Sequence, residues 1–325
     1  YKLLQLRAEA TLDLPPLTYD KTGRRLLGVS REAVARLTAL ALVYRFDKEE
    51  AILKRLEEEL TAVCAFTDWN PSHFLDVAEM AAGISLALDW AGEFLSPEVN
   101  RVARKALVEK ALKEGIDGSG YNFFTQAQSN WNLVCNGGLS LAALTVFEEE
   151  PELATAVLDQ AVKTIPLALE PYAPGGIYPE GASYWFYATT YLSVAISAYE
   201  TALGTDFGFS SAPGIMESAV FSQVLAGPSG DYYNYFVASL GGFYSLAHFG
   251  LLGWFSERSG DPVDWPAYEN ILEKELNDLP SAKSPRFLAS HFLNLAVLDS
   301  GTGEEFSWPD VWSGGGEEPL VVFRD

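Results

Sequence analysis

Histidine and cysteine are scarce here: the 325 residues hold three of the first and two of the second. Cys64 and Cys135 both fall in apolar helical pattern, so two buried free thiols are expected rather than a disulfide. No Cys-x-x-Cys pair or Cys/His ligand spacing occurs, so no metal centre and no cofactor are expected. Basic residues are also short, 22 against 44 acidic, for a net charge of −22. That sign argues against nucleic acid and anionic membrane as partners. It also opposes a polyanionic substrate, although a local basic patch can prevail because charges beyond about 8–10 Å are screened. Residues 232–256 form a long uncharged stretch. It holds Asn234, His248 and several Ser and Gly, and no basic loop flanks it. A buried helix inside a large helical protein is therefore expected, not a membrane span. The chain begins at Tyr1 without a signal-peptide pattern, which reads as a mature or trimmed form.

Apolar residues are plentiful, at 48%. They can fill one large core or two smaller ones. Apolar spacing of three and four recurs along most of the chain and predicts helices. They are expected over 31–45 (capped by Ser30), 48–66, 73–94, 97–114, 127–147, 151–169, 182–203, 215–225, 232–257, 265–277 and 284–298. Pro97, Pro151 and Ser284-Pro285 mark starts, and Gly204 and Gly260 mark ends. Charged amphipathic segments alternate with nearly uncharged ones rich in small and aromatic residues. Stacked helical hairpins closing into a ring give this pattern, with a wet outer layer and a buried inner one. The expected fold is all-α, an incomplete (α/α) toroid of about five to six helical hairpins, with a short β-strand at its end. Residues 320–323 supply that strand. It must pair locally or open a further β domain, because a lone strand is unstable.

Polar and aromatic residues cluster where inner helices begin. Gly175-Gly-Ile-Tyr-Pro-Glu-Gly-Ala-Ser-Tyr-Trp-Phe-Tyr187 runs from a glycine-rich turn into a helix start. Ser129-Asn-Trp-Asn132 is followed by Asn136-Gly137-Gly138. Aromatic faces with amide and phenol tips suit a sugar ring, whose CH faces stack and whose hydroxyls hydrogen-bond. A phenol serves as a proton donor, and an amide polarises a carboxyl oxygen. Core filling by the aromatics and helix capping by Ser129 or Asn130 explain the same residues structurally. Asp68-Trp69-Asn70-Pro71-Ser72-His73 is a third cluster, in which His73 is a cleft or a capping residue. Residues 227–235, with Asn234 and Tyr235, form a fourth. Glu79 and Asp89 face either a cleft or an arginine, and His248 and His291 fit a core. In a toroid the inner helices run parallel, so these junctions would gather at one end.

These motifs, in this order, resemble the heparinase II/III-like polysaccharide lyases, which include oligoalginate lyases. Asp68-Trp-Asn-Pro-Ser-His-Phe-Leu-Asp-Val-Ala-Glu-Met80 resembles the family's third-helix motif. Ser129-Asn-Trp-Asn132 with Asn136 resembles its Asn-Trp-Asn…Asn motif, and Glu180-Gly-Ala-Ser-Tyr-Trp-Phe-Tyr187 its Glu-Gly-x-x-Tyr-Trp-x-Tyr motif. Trp312 through Arg324 resembles the lead-in to its β-sandwich. The resemblance implies a toroid over 1–300, with 301–325 as linker and first strand of a C-terminal β domain absent from this chain. It implies β-elimination on an acidic polysaccharide or oligosaccharide, in a periplasmic or secreted setting. Asn130 would neutralise the uronate carboxylate, and Tyr184 would be the catalytic acid. Trp131, Asn132, Glu180, Trp185, Tyr187, Trp69, His73, Asn234 and Tyr235 would bind substrate. The family's β domain supplies a catalytic histidine, so this half alone is expected to turn over little. Two alternatives stand beside it. One is a toroid hydrolase pairing Glu180 with Asp68, Glu79 or Asp231. The other is a non-catalytic sugar-binding module.

Overall fold

The computed structural model describes residues 1–116, 120–227, 232–233, 246–261, 263–277, 286–296, 298, 310–316 and 319–323. The protein is all-α with a short C-terminal β element. The helices are α1 (Lys2–Leu12), α2 (Leu27–Asp47), α3 (Glu50–Cys64), α4 (Leu75–Ala91), α5 (Pro97–Leu107), α6 (Lys113–Ile116) and α7 (Asn130–Thr145). A π-helical turn, Val108–Leu112, joins α5 to α6. They continue as α8 (Pro151–Leu169), α9 (Ala182–Leu203), α10 (Ser218–Val224), α11 (Leu246–Ser259), α12 (Trp265–Asn277) and α13 (Leu288–Ala296). Strands β1 (Val311–Gly314) and β2 (Leu320–Phe323) pair antiparallel, with Val311 opposite Phe323 and Gly314 opposite Leu320.

Two compact units make up the chain. The first comprises Tyr1–Thr125, Val134–Lys163 and Leu279–Ala289. Its centre is α2 packed on α4, both buried along most of their length. Gly83 permits the approach, since a Cβ there would lie 3.0 Å from the Val34 Cα. The amphipathic α3 covers α2 with Ile52, Leu56, Leu60 and Val63, and keeps its other face wet. Gly138 serves a similar end: a Cβ there would overlap the Ala78 carbonyl. That explains one glycine of the Asn136-Gly-Gly138 motif by close packing. Buried carboxylates are paired, as desolvation demands. Glu59 takes Arg36, Arg55 and the Leu17 N–H. Glu79 takes Arg31 and Arg286.

The second unit comprises Gln126–Leu133, Thr164–Asp278 and Ser290–Asp325. Here α9 packs on α10 and α11. It runs from Gly181, whose φ is +84°, to a left-handed Gly204. The β1–β2 hairpin also belongs here. Its Trp312 lies 6.3 Å, ring to ring, from Phe221. A Cβ on Gly175 would meet the Gly315 backbone at 2.8 Å. The opening glycine of the glycine-rich turn is thus required by packing.

Several expectations are corrected. Helix α2 starts at Leu27, so Ser30 is buried inside it and caps nothing. The start is fixed instead by Asp76, whose Oδ2 accepts the Leu26 N–H at 2.6 Å. Helix α1 and strand β1 have no counterpart among the expected elements. The helix expected over 232–257 is described only as α11, and residues 234–245 lie outside the described residues. No helix among the described residues is long and apolar enough to cross a membrane.

Candidate functional site

The starts of α7 and α9 meet through one carboxylate in the second unit. Glu180, just before the Gly181 cap of α9, reaches the first residue of α7. Its Oε2 accepts the Asn130 backbone N–H at 2.6 Å, and its Oε1 accepts the Asn130 Nδ2 at 2.7 Å. An acid at a helix N-terminus satisfies an otherwise orphaned N–H and complements the helix dipole. The hydroxyl of Tyr178 donates to Glu180 Oε2 at 2.9 Å. Burial, then Tyr172 and Glu180 nearby, push the Tyr178 phenol well above its ordinary pKa, so it stays a donor. Behind it, the Tyr172 and Tyr178 rings lie 4.9 Å apart, and Tyr172 Oη bonds Thr189 Oγ1 at 2.9 Å.

Asn130 is only 3% exposed. Its Oδ1 is buried and has no hydrogen-bond partner among the described residues. Tyr184 stands in the first turn of α9, 36% exposed, and its hydroxyl makes no bond within the described residues. Trp131 is half-buried in the first turn of α7. Tyr184 and Trp131 are open to a ligand by their exposure, whereas the Asn130 Oδ1 is sealed from solvent.

Other expected site residues serve the core. Asn132 is fully buried and spends its amide N–H groups on the carbonyls of Ala127 and Thr164. Trp185 is fully buried and stacks on Phe255. Tyr187 is buried edge-on to Tyr191. Glu180 is half-buried, and its carboxylate bonds Asn130 and Tyr178. In the first unit, Trp69 is fully buried and donates to the Val63 carbonyl at 3.0 Å. Buried His73 holds Asp76 through Nδ1 at 2.6 Å. With Asn70, in the left-handed region at φ +60°, they build the turn into α4. The cluster is polar because a turn's backbone groups need partners. Asn234, Tyr235 and Asp231 lie outside the described residues. Tyr178 is not among the expected site residues; its only signal is its place two residues before Glu180 in the glycine-rich turn.

Of the hydrolase alternative's carboxylates, Asp231 lies outside the described residues and the other three are hydrogen-bonded. Glu79 is fully buried between two arginines, and Asp68 binds the Tyr19 hydroxyl and the Asn70 N–H. Glu180 accepts from three donors. Among the described residues, no group of histidine, cysteine, aspartate and glutamate could hold a metal ion. Both thiols are buried, and burial pushes the Cys64 thiol up to about 12.

A second polar pair lies elsewhere in the unit. His248 Nε2 and Tyr232 Oη are 2.7 Å apart, and the imidazole stacks on Phe186 at 4.0 Å. Burial depresses the His248 pKa to about 3. An unfolded histidine titrates near 6.5. The folded value is the lower one, so this contribution to stability is complete above about pH 6.5 and is lost as pH falls toward 3. The expected loss is about 1.4 kcal/mol per pH unit within that window. Urea melts of wild type and His248→Gln across pH 7 to 4 check it. The wild type should fall more steeply, and parallel curves would contradict the assignment.

No protein-family model matches the chain, and no curated protein matches it.

Proposed function

We propose that this chain is the helical half of a polysaccharide lyase resembling the heparinase II/III-like enzymes, acting on a uronic-acid polysaccharide by β-elimination. The toroid arrangement, the further β domain and a periplasmic or secreted location belong to the same reading. The observation that carries it is the Glu180 bridge. It sets Asn130 at the start of α7 beside the helix start that bears Tyr184. The bridge supports the reading because it ties the Asn130 amide to the turn leading into the helix that carries the exposed Tyr184.

The chemistry follows from those groups. Asn130 hydrogen-bonds the uronate carboxyl and stabilises charge that moves onto it when the C5 proton leaves. A base takes that proton, and the resemblance offers the histidine of the further β domain for it. The C5 electron pair becomes the C4–C5 double bond as the C4–O4 bond breaks. The Tyr184 phenol gives its own proton to O4, and the protonated base then restores Tyr184 through solvent, so proton and charge balance. Trp131 offers an aromatic face for the ring. The exposed apolar face of the hairpin, with Val311, Val321 and Phe323, suits further β-structure.

The full-length gene product, incubated with alginate, heparin, hyaluronan and glucuronan, should gain the ultraviolet band of an unsaturated uronate with at least one of them. No gain with any contradicts the reading. Calorimetric binding without product would assign the chain instead to a sugar-binding module.

A further inference from the structure

We infer, resting on the lyase reading above, that the second unit holds its saccharide against a repulsive field, and that the substrate is a uronate chain of low charge density, in which each uronate alternates with a neutral, unsulfated sugar. The chain's acidity is unevenly shared. The stretches of the second unit, Gln126–Leu133, Thr164–Asp278 and Ser290–Asp325, contain 20 acidic residues and three basic ones, a net charge of −17. The first unit holds the remaining 24 acidic and 19 basic residues, a net charge of −5. Asn130, Trp131 and Tyr184 all belong to the second.

The three cations do not offset this at the site. Arg258, in the last turn of α11, is paired with Glu200 and Glu257. Glu200 stands more than four turns along α9 from Tyr184, about 24 Å at the rise of a helix. At physiological salt, exposed charges are screened over about 8 Å. Lys274 shares α12 with Glu269, Glu273 and Glu275. Arg324 lies outside the described residues. The charges tied to the start of α7 are negative. Glu180 accepts from the Asn130 backbone and side chain. Two residues ahead of Asn130, Gln128 donates to the exposed Glu170 at 2.9 Å.

Such a field sorts sugars by the spacing of their charges. A like charge brought beside fixed carboxylates is opposed, and each further anionic group adds to the cost. A homouronate repeats its charge at every ring, and a sulfated chain carries more again. A neutral ring between uronates halves the charge to be held. It also leaves CH faces for the exposed aromatics, Trp131 and Tyr184.

Calorimetry on this chain tests the sorting. The probes are hyaluronan, glucuronan and heparin oligosaccharides of equal length, with carboxyl-reduced hyaluronan as a neutral reference, at about 0.02 M and about 0.5 M salt. Hyaluronan should bind more tightly than glucuronan or heparin at low salt. The glucuronan Kd should fall about threefold or more as salt screens the repulsion, while the neutral sugar stays put. Glu170→Gln should tighten glucuronan about twofold at low salt and leave the neutral sugar unchanged. Glucuronan or heparin bound tightest, with affinity lost as salt rises, is the signature of a cationic cleft; it overturns the low charge density and keeps the lyase reading. A glucuronan Kd indifferent to salt overturns the repulsive field in the same way. No sugar bound at either salt sinks the lyase reading and the substrate class with it.

Discussion

Replacing Tyr184 with phenylalanine is expected to lower kcat for uronate elimination by about 10²–10⁴-fold, with KM little changed. The substitution removes one oxygen and leaves the ring. That hydroxyl holds nothing within the described residues, and the side chain is partly in solvent, so the fold has no stake in it. The loss must come from the reaction. The phenol gives O4 its proton, and the nearby Glu180 carboxylate is held by Asn130. Steady-state rates from the ultraviolet product band measure the effect, with circular dichroism to show an intact fold. Wild-type kcat in the Tyr184→Phe variant would remove Tyr184 from the proton path.

The largest effect on stability is expected from Glu59→Ala, at about 3–5 kcal/mol. Glu59 is fully buried and balances two guanidiniums whose side chains are also largely buried, Arg36 and Arg55. It also accepts the Leu17 N–H, which fixes the segment between α1 and α2. Removing the carboxylate takes the buried partner from both charges and leaves Arg36 with Glu32 and Arg55 with the more exposed Glu58, and breaking a buried pair costs far more than forming it gained. Glu59→Gln keeps acceptor capacity but not the charge, so it should cost less than alanine. Urea titration measures both. A loss below about 1 kcal/mol for Glu59→Ala would show that water reaches the pair.

Helices bounded by strong punctuation are legible to the residue. Pro151 opens α8, and Gly181 and Gly204 bracket α9, because proline and positive-φ glycine fix a helix end by local sterics alone. Helix α12 and strand β2 also lie where the pattern puts them. The start of α2 is not legible, because it depends on Asp76, 50 residues away. Residues 2–12 carry a helix whose apolar positions define no clean stripe, and β1 is too short to show alternation.

The clusters at the helix starts are visible as clusters, but their roles are not. Side-chain type cannot say which face of a helix turns inward. Tyr184 is exposed while Trp185, its neighbour, is sealed in the core. Asn130 keeps an unmet oxygen, while Asn132, on another face of the same turn, has both N–H groups spent on backbone. Glu180 stands out at the mouth of the turn. Its partner is 50 residues upstream, and only tertiary structure brings a carboxylate and an amide together over that separation.

Titrating an oligouronate into isotope-labelled protein tests the central idea most directly. The Asn130 side-chain amide and the Tyr184 ring should shift together, along one saturation curve with one Kd, because a single saccharide unit touches both. Shifts in only one of the two, or in neither while the sugar still binds, would place the ligand elsewhere and leave the pair without a shared substrate.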